Sequence, residues 1–154
     1  MTVSNLILGS DHAGLPLKQQ CLEYLASQGC QCEDLGTYGR ESCDYPEFAF
    51  KVCRRVLEAK SLGLLVCGTG LGMSMAANRL PGIRAALCTN EYLARMARKH
   101  NDANVLCLGS RVIGVDAALG VLDAFLATQF EGGRHSHRIA LMDQGLDLVE
   151  EAKG

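Results

Sequence analysis

No stretch of the sequence approaches the ~20 consecutive apolar residues that a membrane-spanning helix needs. Its first ten residues, MTVSNLILGS, carry neither the charged nor the apolar region of a secretory signal. A membrane protein is therefore not expected, and a cytoplasmic location is. There is no long run of one charge either: 15 Lys and Arg are interspersed with 17 Asp and Glu, for a formal net charge of −2. That balance argues against a general nucleic-acid or membrane-surface binder and for a small-molecule ligand. Nor is there a CxxC pair among the eight cysteines, the nearest approach being Cys30-Gln31-Cys32. Cys21, Cys53, Cys88 and Cys107 sit inside apolar segments, where in a reducing compartment they serve as small hydrophobes. No metal and no structural disulfide is expected of them. Repeats, linkers and low-complexity stretches are also missing. A chain of 154 residues, 48% of them hydrophobic, is long enough for one well-buried core and too short for two. Residues 1–154 are expected to form a single domain.

What is present is an alternation of short aliphatic runs with longer segments of helical periodicity. Candidate strands are 5–8 (NLIL), 31–35 (QCEDL), 62–66 (LGLLV), 83–87 (IRAAL) and 104–108 (NVLCL). Three of them are too continuously apolar to have a wet face, the pattern of a parallel sheet covered on both sides. Residues 15–28, 45–59, 73–80, 91–99 and 115–128 read as helices, the second with Asp44 as N-cap and Pro46 in its first turn. A last helix is expected from the stripe Ile139, Met142, Leu146 and Val149, which either covers its own core or packs on a second copy of the chain. The class is α/β, doubly wound, with an extra C-terminal helix.

In such a sheet, ligands bind beyond the carboxyl ends of the strands, near a topological switch point. Three strand ends carry unusual residues: Ser10-Asp11-His12 after the first, Cys67-Gly68-Thr69-Gly70 after the third, and Ser110-Arg111 after the fifth. If the first and third strands are neighbours whose helices leave on opposite faces, Asp11, His12 and Cys67 line one crevice. Gly68, Gly70 and Gly72 let backbone approach a ligand closely, and the helix that follows aims free N–H groups at whatever sits in the loop. This is not the dinucleotide fingerprint, whose third glycine falls at Met73, and it lacks the lysine of a P-loop. A purely structural turn stays open on these residues alone. Cys67 at its mouth adds chemistry, because a helix N-terminus draws a thiol toward its thiolate form. A base beside an oxyanion hole suits proton abstraction next to a carbonyl.

The ordered set GSDHAG, DYP, CGTGLGMSMAAN, PGIRAAL, HNDANVL, LGSR and EGGRHSHRI resembles the ribose-5-phosphate isomerase B family, which belongs with the galactose-6-phosphate and allose-6-phosphate isomerases. The likeness runs from residue 5 to about 145. It implies a five-stranded Rossmann-like α/β/α sandwich, a homodimer or a tetramer of dimers, no cofactor and no metal, and interconversion of ribose 5-phosphate with ribulose 5-phosphate. Position by position it makes Cys67 the base, with Thr69 beside it, and Gly68, Gly70, Gly72 and Ser74 the loop that holds the enediolate. His100 resembles the residue that opens the sugar ring. Asn101 resembles a contact to substrate oxygens, Asp11 and Tyr45 contacts to sugar hydroxyls, and His12, Arg111, Arg134 and Arg138 the phosphate site. One branch of the family has a glutamate base where Met73 stands here; Met73 takes no proton, so this chain resembles the cysteine branch.

The residues can be read beside that resemblance. Arg134 and Arg138, four apart, share one face if the last helix has begun, and two guanidinium forks suit a phosphate dianion. Cations are disfavoured at a helix N-terminus, a conflict an anion would relieve. His100 precedes a strand and so lies at the amino end of the sheet, opposite Cys67. It either caps its helix as a favourable cation or, if catalytic, reaches the crevice of a partner subunit. The expected function is an aldose–ketose isomerase of a five-carbon sugar phosphate. An isomerase of six-carbon sugar phosphates is the nearest alternative. A non-catalytic sugar-phosphate sensor and a thiol redox protein come from other classes.

Overall fold

The runs LGLLVC and VLCLG offer water no charged or amide side chain on either side, and they form two of the three inner strands of a parallel sheet. The structure, a computed structural model, describes residues 5–151, with side chains as far as Gly145. Along the chain come β1 (Asn5–Ser10), α1 (Leu15–Ser27), β2 (Gln31–Asp34), α2 (Tyr45–Ala59), β3 (Leu62–Cys67), α3 (Leu71–Ala77), β4 (Ala85–Leu87), α4 (Glu91–Asn101), β5 (Val105–Gly109), α5 (Val115–Ala127) and α6 (Arg134–Glu151). Every pairing is parallel, in the order β2-β1-β3-β5-β4.

Alternate strand residues face opposite sides, and two cores result. Leu6, Leu8, Leu64, Val66, Leu106 and Leu108 pack against α1, α4 and α5. On the other side, Ile7, Leu65, Cys67, Val105 and Cys107 pack against α2 and α3. β1 and β3 are therefore neighbours whose following helices, α1 and α3, leave on opposite faces, which opens the expected crevice at their carboxyl ends.

A buried cation ties α1 to the loop that follows β2. The Lys18 ammonium, with no solvent exposure, donates to Asp34 Oδ1 at 2.5 Å and to the Thr37 carbonyl at 2.8 Å. Burying a charge is tolerable only with such partners. The same loop pairs with the end of β1, Ser10 N–H to the Gly36 carbonyl and Thr37 N–H to the Ser10 carbonyl, both at 2.7 Å.

Several boundaries differ from the sequence expectation. α3 begins at Leu71 rather than 73, because Gly70, at φ 78°, turns the chain straight into the helix, and it ends at Ala77 rather than 80, where the Arg79 and Leu80 N–H groups bond carbonyls three residues back. β4 covers only 85–87: Ile83 is still in a turn, its N–H on the Leu80 carbonyl, and the Arg84 N–H bonds the Asn104 side chain. Asp44 is at the N-cap of α2, and Pro46 is in its first turn, but the Asp44 side chain makes no capping bond. A side-chain cap occurs instead at α4, where Asn90 Oδ1 accepts the Leu93 N–H at 2.9 Å. On α6, Ile139 is half-buried and Met142 is 53% exposed, so the expected stripe is not covered by its own chain. The side chains of Leu146 and Val149 lie outside the described residues.

Candidate active site

Backbone pairing carries on past the strand ends and gathers the site. Asp11 N–H donates to the Val66 carbonyl, Ser110 N–H to the Cys67 carbonyl and Arg111 N–H to the Gly68 carbonyl, at 3.2, 2.9 and 2.9 Å. The three strand-end segments thus lie side by side. Asp11, His12, Tyr45, Cys67, Gly68, Thr69, Gly72 and Arg111 line one cleft of about 270 Å³.

The glycine loop is tightly specified. A Cβ on Gly70 would sit 2.5 Å from Leu87 Cδ1 in addition to the cost of its positive φ, and a Cβ on Gly72 would sit 2.7 Å from the Tyr45 ring. Tyr45 therefore lies flat against the start of α3. Thr69 Oγ1 accepts the Leu71 N–H at 3.3 Å, and the first helical bond runs from Ser74 N–H to the Gly70 carbonyl. That leaves the Gly72 and Met73 N–H groups with no carbonyl inside the helix to bond. The Ser74 hydroxyl donates to the Leu71 carbonyl at 2.8 Å.

Cys67 differs from the other buried cysteines in its partner. Burial pushes the Cys21 and Cys53 thiols up to about 12 and Cys88 up to about 11, so they stay protonated at neutral pH. The Cys67 sulfur accepts the Gly70 N–H at 3.1 Å, a donor aimed where negative charge on sulfur would lie. On the opposite wall, Asp11 Oδ1 accepts the Gly14 N–H at 2.8 Å, and His12 Nδ1 accepts the Cys43 N–H at 3.2 Å. Cys43 itself carried no signal in the sequence, since only the fold brings its loop against His12.

The remaining expected site residues form a second group at the other end of the sheet. His100 and Asn101 close α4, at the amino end of β5. The His100 ring stacks on that of His135, centroids 4.3 Å apart and planes 10° from parallel. Glu131 joins them, its carboxylate 3.8 Å from His100 Nε2 and 3.2 Å from Lys99 Nζ. Arg134 opens α6, and Arg138 follows one turn later. Strands of five or six residues are roughly 17–20 Å long, so this group and Cys67 do not meet within one chain.

His100, Glu131 and His135 bring ligand-type atoms within 4.8 Å of one another. Parallel stacked rings do not aim two nitrogen lone pairs at one point, and Arg134 and Arg138 add positive charge, so the group suits an anion better than a metal cation. Burial first, then His100, Arg134 and Arg138, hold the His135 pKa below its ordinary 6.5. The neutral ring is thus favoured in the folded chain. Below about pH 6.5 the unfolded chain takes up this proton before the folded one does, so stability falls with pH. The melting temperature of His135→Gln is expected to drop less than that of the wild type between pH 7 and pH 5.5. Equal drops would remove His135 as the cause. Glu131, held low chiefly by its bond to Lys99, adds its own loss only below its ordinary 4.5, so the two windows separate.

A family model for "Ribose/Galactose Isomerase" matches residues 6–142. The chain belongs to the ribose/galactose isomerase family. Among relatives of this isomerase family, the ribose-5-phosphate isomerase B of Escherichia coli K12 is 43% identical over 138 residues, 89% of this chain and 93% of that protein. A ribose 5-phosphate isomerase from Thermotoga maritima superposes with a TM-score of 0.91 at 49% identity, covering 94% of this chain and 99% of that one. The Mycoplasma genitalium ribose-5-phosphate isomerase B, solved with bound ribulose-5-phosphate, gives 0.89 at 41% identity, with 96% and 98% covered. The family's α/β fold is thus the fold of this chain.

Proposed function

We infer that this chain is an aldose–ketose isomerase that interconverts D-ribose 5-phosphate and D-ribulose 5-phosphate. The observation that carries the reading is the Cys67 thiol, set in a glycine loop with an N–H on its sulfur, in a chain 43% identical to a ribose-5-phosphate isomerase B. His100 first assists opening of the furanose, moving the proton from the anomeric hydroxyl so that the ring oxygen can leave protonated. Cys67 as thiolate then takes the C2 proton; the C–H pair becomes the C1=C2 bond, and the aldehyde oxygen takes the negative charge. The Gly68–Gly70–Gly72 loop holds that oxygen through the Gly72 and Met73 N–H groups at the start of α3, while the Gly70 N–H stays on the Cys67 sulfur; Thr69 and Ser74 lie beside them. The C2 hydroxyl then passes its proton to that oxygen, which becomes the C1 hydroxyl; as C2–O closes to the ketone, the C1=C2 pair takes the proton back from Cys67 at C1, and the thiolate is regenerated. Asp11, Tyr45 and Asn101 contact sugar oxygens.

The two groups serve one reaction if a partner subunit brings His100, Asn101, Arg134 and Arg138 to the cleft of Cys67, so we propose a homodimer, alone or paired into a tetramer, with sites at its interface. The cleft of one chain, about 270 Å³, is below the usual 300–1,000 Å³ of a small-molecule site. Leu71 and Met75 on α3 and Leu141 and Met142 on α6 are exposed apolar side chains for such an interface. No helix among the described residues is long and apolar enough to cross a membrane. We place the enzyme in the cytoplasm, as one sugar-phosphate isomerase domain.

Turnover of ribose 5-phosphate measured against allose 6-phosphate tests the substrate: faster turnover of the six-carbon sugar would replace this reading with the hexose one. The phosphate site has its own test. Replacing Arg134 or Arg138 with Ala is expected to weaken binding of ribose 5-phosphate and to leave the weak binding of free ribose nearly unchanged, since a charge-assisted fork is lost only for the former. Equal losses in titrations of both ligands would point to damage to the fold instead.

A further inference from the structure

The turn after His100 and Asn101 is held by contacts that the reaction scheme does not use. Asp102 lies at φ 42°, ψ 45°, the left-handed region that glycine or asparagine usually supplies at a helix end. What aspartate adds over glycine is a carboxylate, and both of its oxygens are gripped. Arg98 Nη1, from α4, donates to Oδ1 at 3.0 Å, and Arg84 Nη2, from the approach to β4, donates to Oδ2 at 2.9 Å. Arg84 Nε also donates to the carbonyls of Asn101 and Asp102, at 3.0 and 2.9 Å. The backbone of Arg84 is itself locked, its N–H on Asn104 Oδ1 and its carbonyl accepting the Asn104 N–H. Arg98 reaches further, from Nη1 to the Ala103 carbonyl at 2.7 Å and from Nε to the Thr128 carbonyl at 3.3 Å, the start of the segment that leads to Glu131 and His135.

We propose that Arg84 and Asp102 are positioning residues for ring opening. With Arg98 they fix the last turn of α4, so that His100 presents its ring to the substrate at one place and in one orientation. The proposal rests on the role given to His100 above. A mere turn would make the opposite demand, because glycine is the residue best suited to left-handed φ.

Asp102→Gly separates the two, since it keeps the turn and removes the post that both arginines hold. In the full-length enzyme, Asp102→Gly and Arg84→Gln are expected to lower kcat for ribose 5-phosphate about 10- to 100-fold, the scale of an ångström-sized misplacement. KM is expected to stay within about threefold, and the melting temperature of Asp102→Gly within a few degrees of the wild type. In a His100→Asn background, adding Arg84→Gln is expected to cost less than about threefold more, because the group it positions is already gone. Wild-type kcat in Asp102→Gly overturns the proposal, as does an Arg84→Gln loss that multiplies in full onto His100→Asn. Full turnover in His100→Asn alone is a different failure: it removes His100 from the reaction and the positioning role with it.

Discussion

Cys67→Ala is expected to lower turnover of ribose 5-phosphate by about two to four orders of magnitude, the usual worth of a general base. In the proposed site the substrate would keep its other contacts, because the loop N–H groups, Asp11, Tyr45 and the arginines are untouched. Binding measured by titration calorimetry should therefore change little while kcat collapses, the signature of an interaction needed in the transition state. Cys67→Ser guards against a packing artefact. It preserves shape and the contact with the Gly70 N–H, yet a hydroxyl is a far weaker base, so its turnover should fall comparably. Near-normal turnover in either folded variant would take Cys67 out of the chemistry and leave the loop as a binding feature only.

His100→Asn is expected to cripple turnover of ribose 5-phosphate by about two orders of magnitude or more, but to spare most of whatever activity the enzyme shows on erythrose 4-phosphate. Ribose 5-phosphate is mostly a furanose and must open before Cys67 has an aldehyde to act on. Erythrose 4-phosphate cannot close the corresponding ring, because its terminal oxygen carries the phosphate. Equal proportional losses on the two substrates would place His100 in the enediolate proton transfers instead. Mixing His100→Asn chains with Cys67→Ala chains should also restore activity, since in the proposed arrangement one site of each mixed dimer would receive both intact residues. No recovery, with subunit exchange confirmed, would mean that one chain supplies both residues to one site.

The strands were legible wherever the sequence was uniformly apolar, since residues 62–66 and 105–108 have no alternative to a two-sided burial, while Asn104, counted into the fifth strand by the sequence, lies just before it. Pattern failed where single backbone geometries decide. The glycines at 70 and 72 read as loop, yet Gly70 at φ 78° is what lets α3 begin at Leu71. The crevice of Asp11, His12 and Cys67 followed from strand ends and a switch point, which are properties of topology and hence of pattern. The second cluster was only half visible. Arg134, His135 and Arg138 stand out as a basic group, but the stack of His135 on His100 joins two helices far apart in sequence, and no local periodicity encodes it. Asp102 was hidden for a related reason. Its left-handed turn and its two arginines, one of them near β4, are set by tertiary bonds.

In the proposed dimer, the placement of Cys67 and His100 at opposite ends of the sheet would also govern how damage is inherited. When each site takes one of them from each chain, a chain lacking only Cys67 still lends a sound His100 to a wild-type partner, so half of every mixed dimer survives. Activity then declines in simple proportion to the fraction of wild-type chains, and the lesion behaves as recessive. A chain lacking both residues spoils both sites of any dimer it joins, and activity declines as the square of that fraction. Two lesions in one chain are thus semi-dominant, while the same two lesions on separate chains complement.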